Sequence, residues 1–249
     1  MAIHKLSISF LVLMLFLSAT SFSANSNDCY VIKLDGHKIK GRAITADDNG
    51  NITLTINDKM KMPFRYRKYR LAVIPKPDNV KRYEDLLEGE KYNDIIENYD
   101  KMMKHYKFVG WSYTIITTQT EALLKLNKLE EAKKVLRQAS QYPGVELEKI
   151  NNAMIRVYIA DSNFDKAETI LKQQISKGNE ETAMNAFLLR GEMAEKRGLK
   201  KEAVLEYLKV LILFNDKNNS SLRDQAKNKA VILLTQLKDP RKDKIANYK

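Results

Sequence analysis

Cysteine is nearly missing. The 249 residues hold one, Cys29, so no internal disulfide staples the fold. Proline and glycine are scarce too, at 5 and 9 residues, which argues against long disordered stretches. Histidine occurs three times, at His4, His37 and His105, and three scattered imidazoles with one thiol give no metal-ligand spacing. No serine sits in a G-x-S-x-G elbow and no glycine-rich phosphate loop occurs. The acid pairs Glu130-Glu131 and Glu180-Glu181 open helical turns, where the helix dipole favours them, and read as structural. Nothing here calls for a metal or cofactor, and the chain reads as non-enzymatic. No apolar run reaches the ~20 residues that a membrane-spanning helix needs.

The longest apolar run, residues 6–17, follows Lys5 and precedes the small-residue segment SATSFSA. That order is the pattern of a cleaved export signal over residues 1–24, with Ser21 and Ser23 the best-fitting cleavage positions. The expected address is periplasmic or secreted. Cys29 follows Ser26, Asn27 and Asp28, which does not match the Leu-small-small-Cys pattern of bacterial lipoproteins. The formal net charge is +12, of which Lys5 leaves with the signal. Cations crowd residues 63–82, with Arg65, Arg67, Lys68 and Arg70 at the centre and Lys76, Lys81 and Arg82 beyond. Such a patch attracts anions: in an exported protein, lipid head groups or acidic polymers before nucleic acid. The bland alternative is solvated charge without a partner.

From Cys29 the periodicity is two. Tyr30, Ile32 and Leu34 alternate with Val31 and Lys33, and Asp35-Gly36 is a tight-turn pair. A second run covers residues 37–46, DDNG at residues 47–50 is a strong turn signal, and Ile52, Leu54 and Ile56 alternate again. Met60, Met62, Phe64 and Tyr66 share a face, and residues 69–74 suit a fifth strand. The expectation for residues 29–77 is a small antiparallel β module, a meander that closes on itself or packs on neighbouring helices because its core is marginal. Residues 31–56 resemble the opening half of an SH3-like or Sm-like barrel through Asp35-Gly36, Gly41 and the turn at residues 48–51. The second Sm motif is absent, so RNA binding is not carried over. FRYRKYR at residues 64–70 interleaves aromatics with cations as single-strand binders do. It suits equally a sheet edge with one buried face, and nucleic acid is not the expected partner.

Proline at Pro75 and Pro77 ends the strands, Asp78 is placed to cap a helix, and the period turns helical. One phrase then recurs. LNKLEEAKKVLRQA (residues 126–139), SNFDKAETILKQQ (162–174) and RGLKKEAVLEYLKV (197–210) share a polar turn, an alanine and a large residue four on; EKYNDIIENYDKM (90–102) is a weaker copy. From Ile95 to Ala132, Ala167 and Ala203 the steps are 37, 35 and 36 residues. A fixed period of this size marks a stacked repeat array. The alanines keep helices close, since the side chain at a crossing sets the interaxial distance.

The phrase resembles the tetratricopeptide repeat, two antiparallel helices per unit of about 34 residues. Ala132, Ala167 and Ala203 match its second-helix alanine, Ile95 replaces it in the first unit, and Gly191 matches the small first-helix residue. Lys200 departs from the anchor held by Tyr92, Leu129 and Phe164. The resemblance implies about four hairpins over residues 78–238, a capping helix at residues 222–237, and a frayed basic tail at residues 239–249. The fold class is α+β, mainly α: a small antiparallel β module followed by an α-α superhelical solenoid. It also implies a concave groove for a protein or peptide, lined by Thr117, Glu121, Asn152, Arg156, Asn185 and Glu192. Phe108, Trp111 and Tyr113, between units one and two, are either an anchor for a partner or the core of an inter-repeat turn. The role that follows is a non-catalytic scaffold organising partners in a bacterial cell envelope, with a binding module for anionic envelope polymers or lipid head groups as the rival.

Overall fold

The structure, a computed structural model, describes residues 20–23, 28–214 and 220–248. Apart from one short strand, the segment read as an export signal lies outside the described residues. The fold is α+β and mainly α, and it divides into two compact units, Met1–Pro75 and Lys76–Lys249.

Among the described residues of the first unit, seven short strands form two antiparallel sheets. β1 (Thr20–Ser23), β4 (Ala43–Ala46), β5 (Ile52–Asn57) and β6 (Met60–Phe64) pair in that order; β3 (Lys38–Gly41), β2 (Cys29–Lys33) and β7 (Tyr69–Val73) make the second sheet. β2 and β3 pack on β5, and the alternate residues Cys29, Val31, Ile44, Ile52, Leu54 and Ala72 fill the space between. The expected meander is therefore corrected in two ways. β2 pairs with the late strand β7 as well as with β3. The run at residues 37–46 is two strands in different sheets, split after Gly41. A β-carbon at Gly41 would lie 2.6 Å from Leu54 Cδ1 and from the Thr55 carbonyl, so only glycine admits this approach where the chain changes sheets. The turn at residues 47–50 forms as its composition dictates. Asp47 Oδ1 accepts from the backbone N–H of Asn49 and Asn51 at 3.0 and 2.8 Å, and Gly50 takes the left-handed φ of 83°. The Tyr69 hydroxyl then donates to the Gly50 carbonyl at 2.9 Å, fastening the turn to β7.

In the second unit the helices come in pairs. α1 (Asp78–Glu88) precedes α2 (Tyr92–Tyr106), α3 (Ser112–Lys125) precedes α4 (Leu129–Arg137), and α5 (Leu147–Ala160) precedes α6 (Phe164–Lys177). α7 (Glu180–Lys196) precedes α8 (Lys200–Leu213), and α9 (Ser220–Gln236) precedes the short α10 (Lys242–Ala246). Asp78 is not the cap of α1; Pro77 holds that place and Asp78 lies in the first turn, where its charge suits the dipole. Each first helix ends in one and the same backbone turn. Glu90, Asn127, Ser162, Gly198 and Lys238 all take positive φ, between 55° and 78°. After each, the next N–H reaches back to a carbonyl five residues earlier: Lys91 to Leu86, Lys128 to Leu123, Asn163 to Tyr158, Leu199 to Ala194 and Asp239 to Leu234, at 2.8–2.9 Å. This is the Schellman closure, which satisfies the last orphan carbonyls and turns the chain.

The first helices touch in sequence, α1 on α3, α3 on α5, α5 on α7 and α7 on α9, while α2, α6 and α8 pack tightly against the first helix on either side. No hairpin buries its apolar stripe alone. Ile95, Ala132, Ala167 and Ala203 are fully buried at these contacts. Gly191 is buried against the Tyr207 ring, and a β-carbon there would run into that ring. The expected capping helix and frayed tail are corrected. α9 closes with the recurring turn, and α10 packs back on it as a stunted second helix. Pro240 precedes the first turn of α10, where a missing N–H costs nothing.

Candidate functional site

The exposed side of the first-helix layer carries the predicted groove residues. Thr117, Glu121, Asn152 and Arg156 line one cleft of about 340 Å³. Helical spacing explains the grouping: Thr117 and Glu121 lie one turn apart on α3, and Asn152 and Arg156 one turn apart on α5. Asn185 and Glu192, on α7, do not line this cleft. Glu84, Glu88, Lys125 and Lys149 do, and the sequence reading missed them. Lys125 continues the Thr117–Glu121 spacing by one turn, and Lys149 precedes Asn152 by three residues, so extending the periodicity finds both. Glu84 and Glu88 are on α1, whose copy of the repeat is too degenerate to map.

Charges along this layer pair across neighbouring helices. The Lys149 ammonium lies 2.6 Å from Glu84 Oε1 and 3.1 Å from Glu146 Oε2, and Lys76 joins Glu84 from the other side. Arg156 Nη1 donates to Glu121 Oε1 at 2.9 Å, and Lys229 of α9 lies 3.6 Å from Glu192 and 3.4 Å from Glu195 of α7. Burial works against the charge on Arg156, but Glu192 and Glu121 more than offset it and its pKa is raised. Burial likewise opposes the charge on Lys149, and hydrogen bonding and attraction from Glu84, with Glu146, raise its pKa. Burial pushes the Glu146 carboxyl up, yet the Thr114 hydroxyl and Lys149 together bring it below its ordinary value. Asn152 Oδ1 accepts from Gln174 Nε2 at 2.9 Å, and the Thr117 hydroxyl donates to its own helix at Thr114.

Each cleft carboxylate named in an ion pair faces a cation, and Thr117, Glu88 and Lys125 stay accessible at the lip. Among the described residues no three His, Cys, Asp or Glu side chains are placed to hold a metal ion. None of the described helices is long and apolar enough to cross a membrane.

The basic patch divides at the unit boundary. Arg65, Arg67, Lys68 and Arg70 belong to the β unit, are exposed, and make no ion pair among the described residues. They surround the turn between β6 and β7, closed by Lys68 N–H donating to Arg65 O at 3.0 Å, with Arg67 in the left-handed region and its guanidinium 5.5 Å from the Tyr66 ring. Tyr69 turns inward and meets Phe64 edge-on at 6.5 Å, so the FRYRKYR segment has one buried and one solvated face. In the helical unit, Lys76 is bound to Glu84, and Arg82 donates to Asn79 at 2.8 Å.

The aromatic cluster is core. Phe108 and Trp111 are buried, Phe108 meets Tyr142 edge-on at 5.7 Å, and Trp111 bridges to Gly144. Tyr113, the third member, is only partly buried and lines a separate pocket between α4 and α5. Compared with known proteins, the chain matches no family model, no curated sequence and no solved structure.

Proposed function

We propose that the chain is an exported, non-catalytic scaffold whose tetratricopeptide-like hairpins hold a peptide or protein segment in the cleft between α1, α3 and α5. The observation that carries this reading is the convergence of Thr117, Glu121, Asn152 and Arg156, from two successive hairpins, on one cleft with Lys125, Lys149 and Glu88. Alternating charge of this kind suits a segment with both acidic and basic side chains, anchored by hydrogen bonds. The envelope of a bacterial cell is the proposed setting.

A photo-crosslinking residue in place of exposed Lys125 tests the reading. In native envelope it captures a polypeptide, while the same residue at Lys172 on α6, which does not line the cleft, captures none. Thr117→Trp, at a position whose hydroxyl bonds only its own helix, fills the cleft and removes the adduct without moving the melting curve. Adducts that persist in Thr117→Trp overturn it.

The exposed set Arg65, Arg67, Lys68 and Arg70, without an ion pair among the described residues, favours a second reading, attachment to anionic envelope polymers or lipid head groups. Attachment of that kind weakens steeply with ionic strength. It is lost when all four are replaced by glutamine, whereas capture in the cleft persists.

A further inference from the structure

The second hairpin is shorter than its neighbours, and the shortening opens a pocket on another part of the helical unit. α4 has 9 residues, where α2, α6 and α8 have 15, 14 and 14. It passes into a 3-10 turn at Gln138–Gln141 and then an extended stretch before Glu146, itself at positive φ, restarts the helix. Where a full-length second helix would lie against α5, a pocket of about 630 Å³ remains, lined by Tyr113 of α3, by α4 and its 3-10 turn, by α5 and by the start of α6. Its volume is that of a small-molecule site.

The lining is graded. Along α5 the wall runs Ile150, Met154 and Val157, all apolar, and ends at Asp161 just past the helix. The eleven steps from Ile150 to Asp161, at about 1.5 Å each, make this wall about 16 Å long. Leu136 of α4 adds to the apolar floor. The charges around the pocket are cationic in sum. Lys133 is shared between Asp161 at 2.5 Å and Glu130 at 2.9 Å. Arg137, one turn along α4, and Lys166, in the first turns of α6 with its ammonium 5.6 Å from the Tyr158 ring, are exposed and have no acidic partner among the described residues. A pocket with one apolar wall and two cations unmatched among the described residues discriminates by charge as well as by length.

We propose that this pocket binds a small amphiphile with a single extended apolar chain and an anionic head, carboxylate or phosphate, the chain lying along α5 and the head between Arg137 and Lys166. The site is separate from the cleft and stands or falls independently of it.

Calorimetric titration of the whole chain with dodecanoate, dodecyl phosphate, dodecanol and dodecyltrimethylammonium, all kept below micelle formation, tests the assignment. The expected result is saturable one-to-one binding of the anions, with the cationic amphiphile weaker by at least tenfold. The order of dodecanoate and dodecyl phosphate tells which head the site prefers. Arg137→Glu with Lys166→Glu, both at exposed positions, reverses the preference, and Met154→Trp removes binding with an unchanged helical circular-dichroism spectrum. Equal binding of anionic and cationic amphiphiles overturns the proposal, as does anion binding that survives the double charge reversal. So does a result in which only a hydrophobic pentapeptide with a free carboxyl terminus binds. Should Met154→Trp fail to fold, the surface double variant alone decides.

Discussion

Tyr207 shows how tightly single residues are specified. It is fully buried, its hydroxyl donates to Glu195, and its ring occupies the space a β-carbon on residue 191 would need. Gly191→Ala should therefore destabilise the fold by about 1–3 kcal/mol, read as a lower denaturant midpoint, and Tyr207→Leu in the same chain should recover part of the loss. The glycine was legible in the sequence because the repeat demands a small residue there. The Glu195 partnership was not, since nothing in a polar helix face says which carboxylate will reach a buried hydroxyl. A second residue-scale prediction concerns acid. Hydrogen bonds from the side chain and backbone N–H of Arg241 pull the half-buried Asp239 carboxyl down from the ordinary 3.8 to about 2. A folded pKa below the unfolded one stabilises the fold above about pH 3.8, and that contribution fades as pH falls toward 2. NMR titration should place the Asp239 midpoint near 2, and Arg241→Ala should return it to the ordinary carboxylate range.

At the scale of elements, what recurs is a backbone conformation carried by unlike side chains. Glu90, Asn127, Ser162, Gly198 and Lys238 share one left-handed turn, yet no alphabet of residue types connects them. The alanine spacing of the second helices revealed the period, because packing restricts those positions; the turn residues are exposed and free to vary. For the same reason the fifth hairpin looks like a lone cap in the sequence, since α10 lacks the alanine phrase and Pro240 reads as a breaker. The split at Gly41 was hidden for a related reason: alternation continues through a strand that changes sheets. Backbone strain at these turns is measurable. A β-carbon at Gly198 would meet nothing within 4 Å, so Gly198→Ala tests conformation alone and should cost about 1 kcal/mol. Glu90→Gly should gain about 1 kcal/mol for the converse reason. Thermal melts of the two variants should move in opposite directions.

For the molecule as a whole, the sequence disclosed the two-part plan and the helical period but neither of the features most relevant to ligands. The ion pairs that tie α1 to α5, α3 to α5 and α7 to α9 join residues 35–65 apart in the chain, and a pocket made by an absent stretch of helix leaves no motif. Because contacts gather within Lys76–Lys249, a fragment of those residues should keep its helical circular dichroism and melt in one cooperative transition. Loss of helicity in that fragment would show that the boundary at Pro75 is not one of folding. The recurrent left-handed turn has a last consequence, for ancestry. Asn127 and Ser162 occupy the same place in the same bend, so excising residues 128–162 would splice Asn127 onto Asn163 without inventing a new junction. A gene of this design can change its copy number by recombination between bends, and its length is then a heritable variable rather than a fixed requirement.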